Sequence, residues 1–279
     1  APMWPLHSWS PIGHAAAPSA VSMLHAGVLM KLGSYAIIRV AMGLLPEGAA
    51  AWMPWMAGLC TMNILYGGFL AMAQKDLKLI IGYSSSSHMG YVLLGIACLT
   101  PLALNGAVLL MFAHGIMTAL AFALVGHVYD QAHTRYLPDL GGLAHQLPFI
   151  ASCGVIAAMA SSGLPGFANF VAELLVFVGG WDAYPVPVVC GVFGVVITAV
   201  YMLRVVRGTF FGGAKPAYAH VHDATTAFAR LPYVILILAL LIAGSWPGPL
   251  LRIIDGSSRT IIERIAPSDE PRRMAKTLK

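Results

Sequence analysis

The chain has 279 residues, of which 58% are hydrophobic and only 10% charged, and its formal net charge is +5. Soluble domains carry about 25% charged residues, so this composition excludes an ordinary water-soluble enzyme and points to a polytopic membrane protein. The basic residues are spread out with no interleaved aromatic patch, so the positive balance reads as loop topology, with no nucleic-acid partner.

Residues 1–17 hold Trp4, His7, Trp9 and His14 among Pro2, Pro5 and Pro11. Prolines at this density argue against a regular helix, and tryptophan favours the membrane interface. The segment therefore reads as an interfacial stretch that ends a preceding element. The opening APMWPLHSW looks like the tail of an earlier segment, and the expectation is a part of a longer protein.

Seven membrane spans follow, making an all-α, polytopic transmembrane helix bundle over residues 18–251. The first, 18–45, carries Lys31 near its middle and ends at the turn signal Leu45-Pro46-Glu47-Gly48. The second, 52–73, is closed by the charged loop Gln74–Lys78. The third, 79–99, contains the polar run Ser84–His88. The fourth, 102–129, holds His114 near its centre. The fifth, 148–180, is too long for one straight helix at 1.5 Å per residue. It is interrupted by Ser161-Ser162-Gly163-Leu164-Pro165-Gly166, so two half-helices around a break are expected. At membrane depth such a break is tolerated only inside protein or beside a wet cavity. The sixth span is 185–206 and the last 231–251. Residues 252–279 read as a polar, basic tail at the surface, disordered beyond Pro267.

Loops on one side receive Lys75, Lys78, Arg135, Arg207, Lys215 and Arg230, while those around Glu47, Thr100 and Asp182 hold no Lys or Arg. By the positive-inside rule the first side is cytoplasmic. The tail then falls outside despite Arg259, Arg264, Arg272 and Arg273, which runs against the same rule.

Three residues carry the candidate chemistry. A charge at mid-membrane costs a few kcal/mol or more to insert, roughly 3 on translocon scales, and usually faces a bundle interior with a partner. Lys31 is such a charge, on a helical face expected to include Leu24, Gly27, Val28, Ser34 and Tyr35. Both helix ends lie too far for it to snorkel, leaving proton handling or a structural ion pair. Glu173 lies two turns past the break, where freed backbone groups and water could serve a carboxyl, unless Asn169 or another helix satisfies it. His114, with Thr118 one turn on, suits a proton relay but could equally be a satisfied core histidine. His88 with Ser84, Ser85 and Ser87 makes a polar stripe, either a water path or a packing seam. His25 precedes Lys31 by six residues and points to another face.

No nucleotide loop, metal-spaced His/Cys cluster or nucleophile triad is apparent, so neither cofactor nor metal is expected in this chain. Cys60, Cys98, Cys153 and Cys190 all sit in apolar segments and read as small core residues.

Four stretches carry a family likeness: PLHSWSPIGHAAAPSAVSMLHAGVLMKLGSYAIIR, AMAQKDLKLIIGYSSSSHMGYVLLG, HGIMTALAFALVGHVYDQAHTRYLPDLGGL and SSGLPGFANFVAELLVF. From residue 1 to about 212 the chain resembles the antiporter-like membrane subunits of proton-pumping NADH:quinone oxidoreductase (complex I), most of all the chain-4-like subunit M. The resemblance implies two inverted repeats of five helices in a longer protein, of which this chain holds the end of the first, all of the second, and the last helix. It implies that Lys31 is the central-axis lysine, His114 the relay histidine and Glu173 the terminal carboxylate of a broken helix. His25, Ser84, His88 and Thr118 would be supporting polar groups. An input-side glutamate and the lysine of a first broken helix would precede Ala1, and residues 1–17 would hold the end of that broken helix. Ile12 and Ala16 stand where many relatives carry acids.

The expected function is proton translocation in the inner (plasma) membrane. The chain would be a multi-pass, non-redox subunit working with other membrane subunits of one complex and with the lipid bilayer. Electron transfer would reside in those partners. Alternatives are a subunit of an Mrp-type Na⁺/H⁺ antiporter or membrane-bound hydrogenase, a structural subunit with a static Lys31–Glu173 ion pair, and a stand-alone secondary transporter.

Overall fold

The computed structural model describes residues 2–265. Ten helices follow in order: α1 (Trp9–Ala16), α2 (Ser19–Leu44), α3 (Pro46–Ala73), α4 (Leu77–Ala97), α5 (Pro101–Ala132), α6 (Pro148–Ser161), α7 (Ala168–Gly180), α8 (Pro185–Phe210), α9 (Ala227–Ser245) and α10 (Gly248–Ile265). Among the described residues there is no strand, only an isolated bridge between Asp76 and Tyr136. Five helices (α2, α3, α5, α8 and α9) are long and apolar enough to cross a membrane. The serine run lowers the hydropathy of α4, yet nearly all of that helix is buried. Helix α4 and the broken pair α6–α7 occupy the two remaining expected spans, so all seven expected spans are helical.

Starts and stops follow local chemistry. Proline opens α3, α5, α6 and α8, where a missing N–H costs nothing. The Asp76 carboxylate accepts from the N–H groups of Lys78 (2.8 Å) and Leu79 (3.3 Å) and so caps α4. Asp223, distant in sequence, caps α6 through Phe149 N–H at 2.7 Å.

Helix α5 is the hub, touching α2, α4, α6, α7, α9 and α10. It lies against α7 with backbones in contact. A Cβ at Gly106 would sit 2.7 Å from Val176 N and 2.8 Å from Ala172 O. The Thr100 hydroxyl, at the start of α5, donates to Gly179 O at 2.7 Å and pins the end of α7. Small residues at such crossings let helices associate in lipid, where no hydrophobic force draws them together.

The structure corrects four expectations. Despite its prolines, the leading segment forms α1, because Pro11 falls in the first turn, where no intrahelical bond is lost. The Lys31 face is misjudged: Leu24, Val28 and Tyr35 are exposed, while Ser22, Ala26, Met30, Lys31, Ser34 and Ile38 are buried. Two π turns, His25–Leu29 and Ile37–Ala41, each insert a residue and rotate the face. The last span ends at Ser245 and not at Leu251, broken at Trp246-Pro247. Beyond it, residues 252–265 continue as the amphipathic helix α10; the disorder expected past Pro267 lies outside the described residues. Helix α10 lies at the side poor in cations, where Asn105 donates to Asp255 at 2.7 Å and Arg259 to the same carboxylate at 2.7 Å. Those bonds, from Arg259 first and then Asn105, hold the Asp255 carboxyl below the usual carboxylate range.

The α5–α7 contact gives a direct test. Gly106→Val should destabilise the detergent-solubilised membrane protein by about 1–3 kcal/mol through overpacking, lowering its thermal midpoint. Gly58→Val, at an exposed glycine with nothing within 4 Å, should leave the midpoint close to wild type.

Candidate functional site

The site begins where α2 crosses α5. Gly27 and Gly115 bring the two backbones together: a Cβ on Gly115 would stand 2.7 Å from Gly27 O. That approach carries Lys31 to His114, and Nζ lies 2.8 Å from His114 Nδ1. Nζ also donates to the Ala26 carbonyl, which the π turn frees from its regular α-helical bond. Lys31 is 6% exposed and His114 not at all.

From His114 the row continues through His88. Their ring centroids are 5.1 Å apart, and His114 Nε2 has no hydrogen-bond partner among the described residues. His88 Nδ1 faces Ser84 O at 2.8 Å, and Nε2 faces Ser161 O at 3.2 Å and Glu173 Oε1 at 3.8 Å. Carbonyls only accept, so the ring meets both when both nitrogens carry protons, with the Glu173 carboxylate as counter-ion.

The broken helix builds the far end. Gly163 (φ +64°) and Gly166 (φ +103°) take left-handed conformations between α6 and α7. The break leaves the Ser161 carbonyl without an onward helical partner, and His88 takes it up. Gly163 also makes room for the carboxylate, since a Cβ there would sit 2.8 Å from Glu173 Oε2. Gly244 of α9 packs on the backbone of Gly166 and Phe167 and presses the break against the bundle.

Lys31, His114, His88 and Glu173 thus form one row drawn from α2, α5, α4 and α7. Sequence reasoning treats His88 as an accessory, yet it stands between His114 and Glu173. Its signal is the i−4 spacing to Ser84 within the serine run of that span. Lys31 and Glu173 are not paired: Lys31 meets His114, and two imidazoles separate it from the carboxylate. Asn169 does not satisfy Glu173 either, since both its side-chain polar atoms are buried without partners among the described residues.

The other expected polar groups have smaller parts. Thr118 donates to the backbone of His114 at 2.7 Å and makes no hydrogen bond to the ring. The Ser84 hydroxyl accepts from Tyr201 at 2.7 Å. Ser86 and Ser87 donate to carbonyls of Gly82 and Ile64, which makes that part of the stripe a packing seam. His25 stacks on His14, centroids 4.3 Å apart, and on Trp9, away from the row. His14 is fully buried, with Nε2 3.2 Å from Met30 Sδ, one residue before Lys31. Sequence reasoning passes over it because it sits in the proline-rich lead.

Residues 1–198 match the family described as NADH:quinone oxidoreductase/Mrp antiporter, transmembrane. The chain is 40% identical over 277 residues to NAD(P)H-quinone oxidoreductase chain 4 of Acaryochloris marina, covering 96% of this chain and 52% of that protein. It is 39% identical over 283 residues to the chain of the same name in Gloeobacter violaceus, covering 97% and 54%. The chain spans about half the length of the curated relatives it matches. A chain of respiratory complex I from Thermus thermophilus with bound NADH superposes with a TM-score of 0.88 at 32% identity, covering 95% of this chain and 56% of that one. A chain of the Mrp complex from Dietzia shares the fold alone, with a TM-score of 0.84 at 23% identity, covering 96% and 57%. With well over half of its length matched, the chain belongs to the NADH:quinone oxidoreductase/Mrp antiporter transmembrane family.

Proposed function

We propose that this chain is the proton-translocating part of a membrane subunit of a respiratory quinone oxidoreductase complex, located in the cell's inner membrane. The observation that carries the reading is the 2.8 Å contact of Lys31 Nζ with His114 Nδ1, continued through His88 to Glu173 at the break. One hydrogen can lie on either side of the Lys31–His114 contact. Protons taken up from the side rich in cations reach Lys31, pass to His114 and His88, and leave from Glu173 toward the opposite side. Electron transfer and quinone chemistry belong to partner subunits. Two charges 4 Å apart interact by about 4 kcal/mol at an effective dielectric near 20. A charge arriving at one end of the row therefore changes which neighbour holds the proton.

The family takes in both kinds of protein, and the relatives named NAD(P)H-quinone oxidoreductase chain 4, at about 40% identity against 23% for the Dietzia Mrp chain, support this assignment over an Mrp antiporter.

In vesicles containing the complete complex, Lys31→Ala or Glu173→Ala should lower proton pumping at least about tenfold, as expected for loss of a positioned proton-transfer group. Pumping at the wild-type rate in either variant refutes the row as the path. Gly115→Val removes no titratable group but forces α5 away from Gly27. It should lengthen the Lys31–His114 contact and slow pumping by a comparable factor, in a complex that still assembles.

A further inference from the structure

On the side rich in cations, a cleft of about 570 Å³ lies between the end of α8 and the loop that leads into α6. Arg204, Arg207 and Lys215 line it, with Leu140 and Phe211 as apolar walls. Among the described residues no carboxylate lies within ion-pair distance of any of the three cations. Two of them are positioned by backbone oxygens. Lys215 Nζ donates to Asp139 O (2.8 Å) and Leu140 O (2.7 Å). Arg204 donates to Met72 O and to Gln74 O (2.7 Å), and keeps a buried Nε–H without a partner among the described residues. Arg207 is exposed and makes no side-chain hydrogen bond among those residues. The loop backbones are held so close that a Cβ on Gly142 would collide with Gly213 O, and Gly142 N–H donates to Phe211 O at 3.0 Å.

A continuous apolar track runs to this cleft. Val189, Phe193, Val196, Val200 and Leu203 are all at least half exposed and recur along α8 at three- and four-residue spacing, with Arg207 next in the series. The exposed face of a membrane-crossing helix thus ends, at the membrane boundary, in three cations without anionic partners. Basic pockets at this level suit anionic lipid headgroups, and guanidinium groups bind phosphate oxygens with directed, charge-assisted bonds.

We propose that this cleft binds the phosphate of an anionic glycerophospholipid in the leaflet on the cation-rich side, its acyl chains lying along the α8 track. Arg207 and Lys215 hold the phosphate, while Arg204 fixes the floor of the cleft against the end of α3. The lipid thereby ties α8 to the α5–α6 loop.

The test uses the complete complex containing the full-length chain, in phosphatidylcholine nanodiscs doped with photoreactive phosphatidylglycerol. Irradiation followed by peptide mapping should place label between residues 196 and 215. Arg207→Gln should reduce that label about tenfold, the scale of one charge-assisted contact, without altering the thermal midpoint. Lys75→Gln, at an exposed cation on the same side, should leave it unchanged. Unlabelled phosphatidylglycerol should compete, whereas phosphatidylcholine and inorganic phosphate should not. Equal labelling in the two variants, equal labelling by a photoreactive phosphatidylcholine, or displacement by inorganic phosphate overturns the proposal. So does capture of a neighbouring subunit, in place of lipid, by a photo-crosslinker at Leu203.

Discussion

The structure depends on two glycines in contact. Gly27 and Gly115 let α2 and α5 approach until their backbones touch, and only at that separation does Lys31 reach His114. A buried ammonium without a partner would cost several kcal/mol. The π turn at His25–Leu29 therefore matters twice: it turns Lys31 inward and frees the Ala26 carbonyl for its Nζ. A regular helix would provide neither. Such turns recur at functional sites because they open backbone acceptors without breaking the helix.

The opposite end of the row solves the same problem by a true break. Between Ser161 and Phe167 the chain leaves the helix, and His88 takes up a carbonyl that the break makes available. Glycine at 163 serves two needs, a left-handed backbone and space for the Glu173 carboxylate. Helix α5 joins the two ends. It carries His114 against α2, and its N-terminal end pins α7 through Thr100 and Gly106. The four titratable groups ride on four helices, so in the proposed path a change of charge at one would act on the packing of its neighbours, and a change of packing on proton transfer in turn.

Much of this was legible in the sequence. Five of the seven expected spans follow from hydropathy alone, and the break follows from Ser161–Gly166. Lys31, His114 and Glu173 stand out because polar groups are expensive at membrane depth. What was not legible has physical causes. A π turn has no reliable sequence signature, so the face assigned to Lys31 by regular helical spacing included exposed Leu24, Val28 and Tyr35. His88 hid in a serine run that is partly a packing seam. Arg204 hid inside an apolar span, since its carbonyl partners lie more than a hundred residues away. The helicity of α10 was masked by its polar face, because a hydropathy window averages an amphipathic helix toward zero.

The cations on one side of the bundle have a structural task beyond setting topology. Arg135 donates to Ala15 O at 2.8 Å and Lys78 to Ala17 O at 2.7 Å, both at the end of α1. Arg204 takes the last carbonyls of α3, and Lys215 those of Asp139 and Leu140. Apart from Arg135, which also meets Asp76 at 2.6 Å, these side chains are spent on backbone oxygens and not on carboxylates. Helix C-termini carry partial negative charge and unsatisfied carbonyls, and cations answer both. A cation used in this way, at a helix end or, for Lys215, in the α5–α6 loop, retains its full charge, since a carbonyl dipole does not neutralise an ion. The surface therefore stays net positive for a structural reason. An anion at that surface, such as the phosphate proposed for the α8 cleft, would complement the charge these side chains retain.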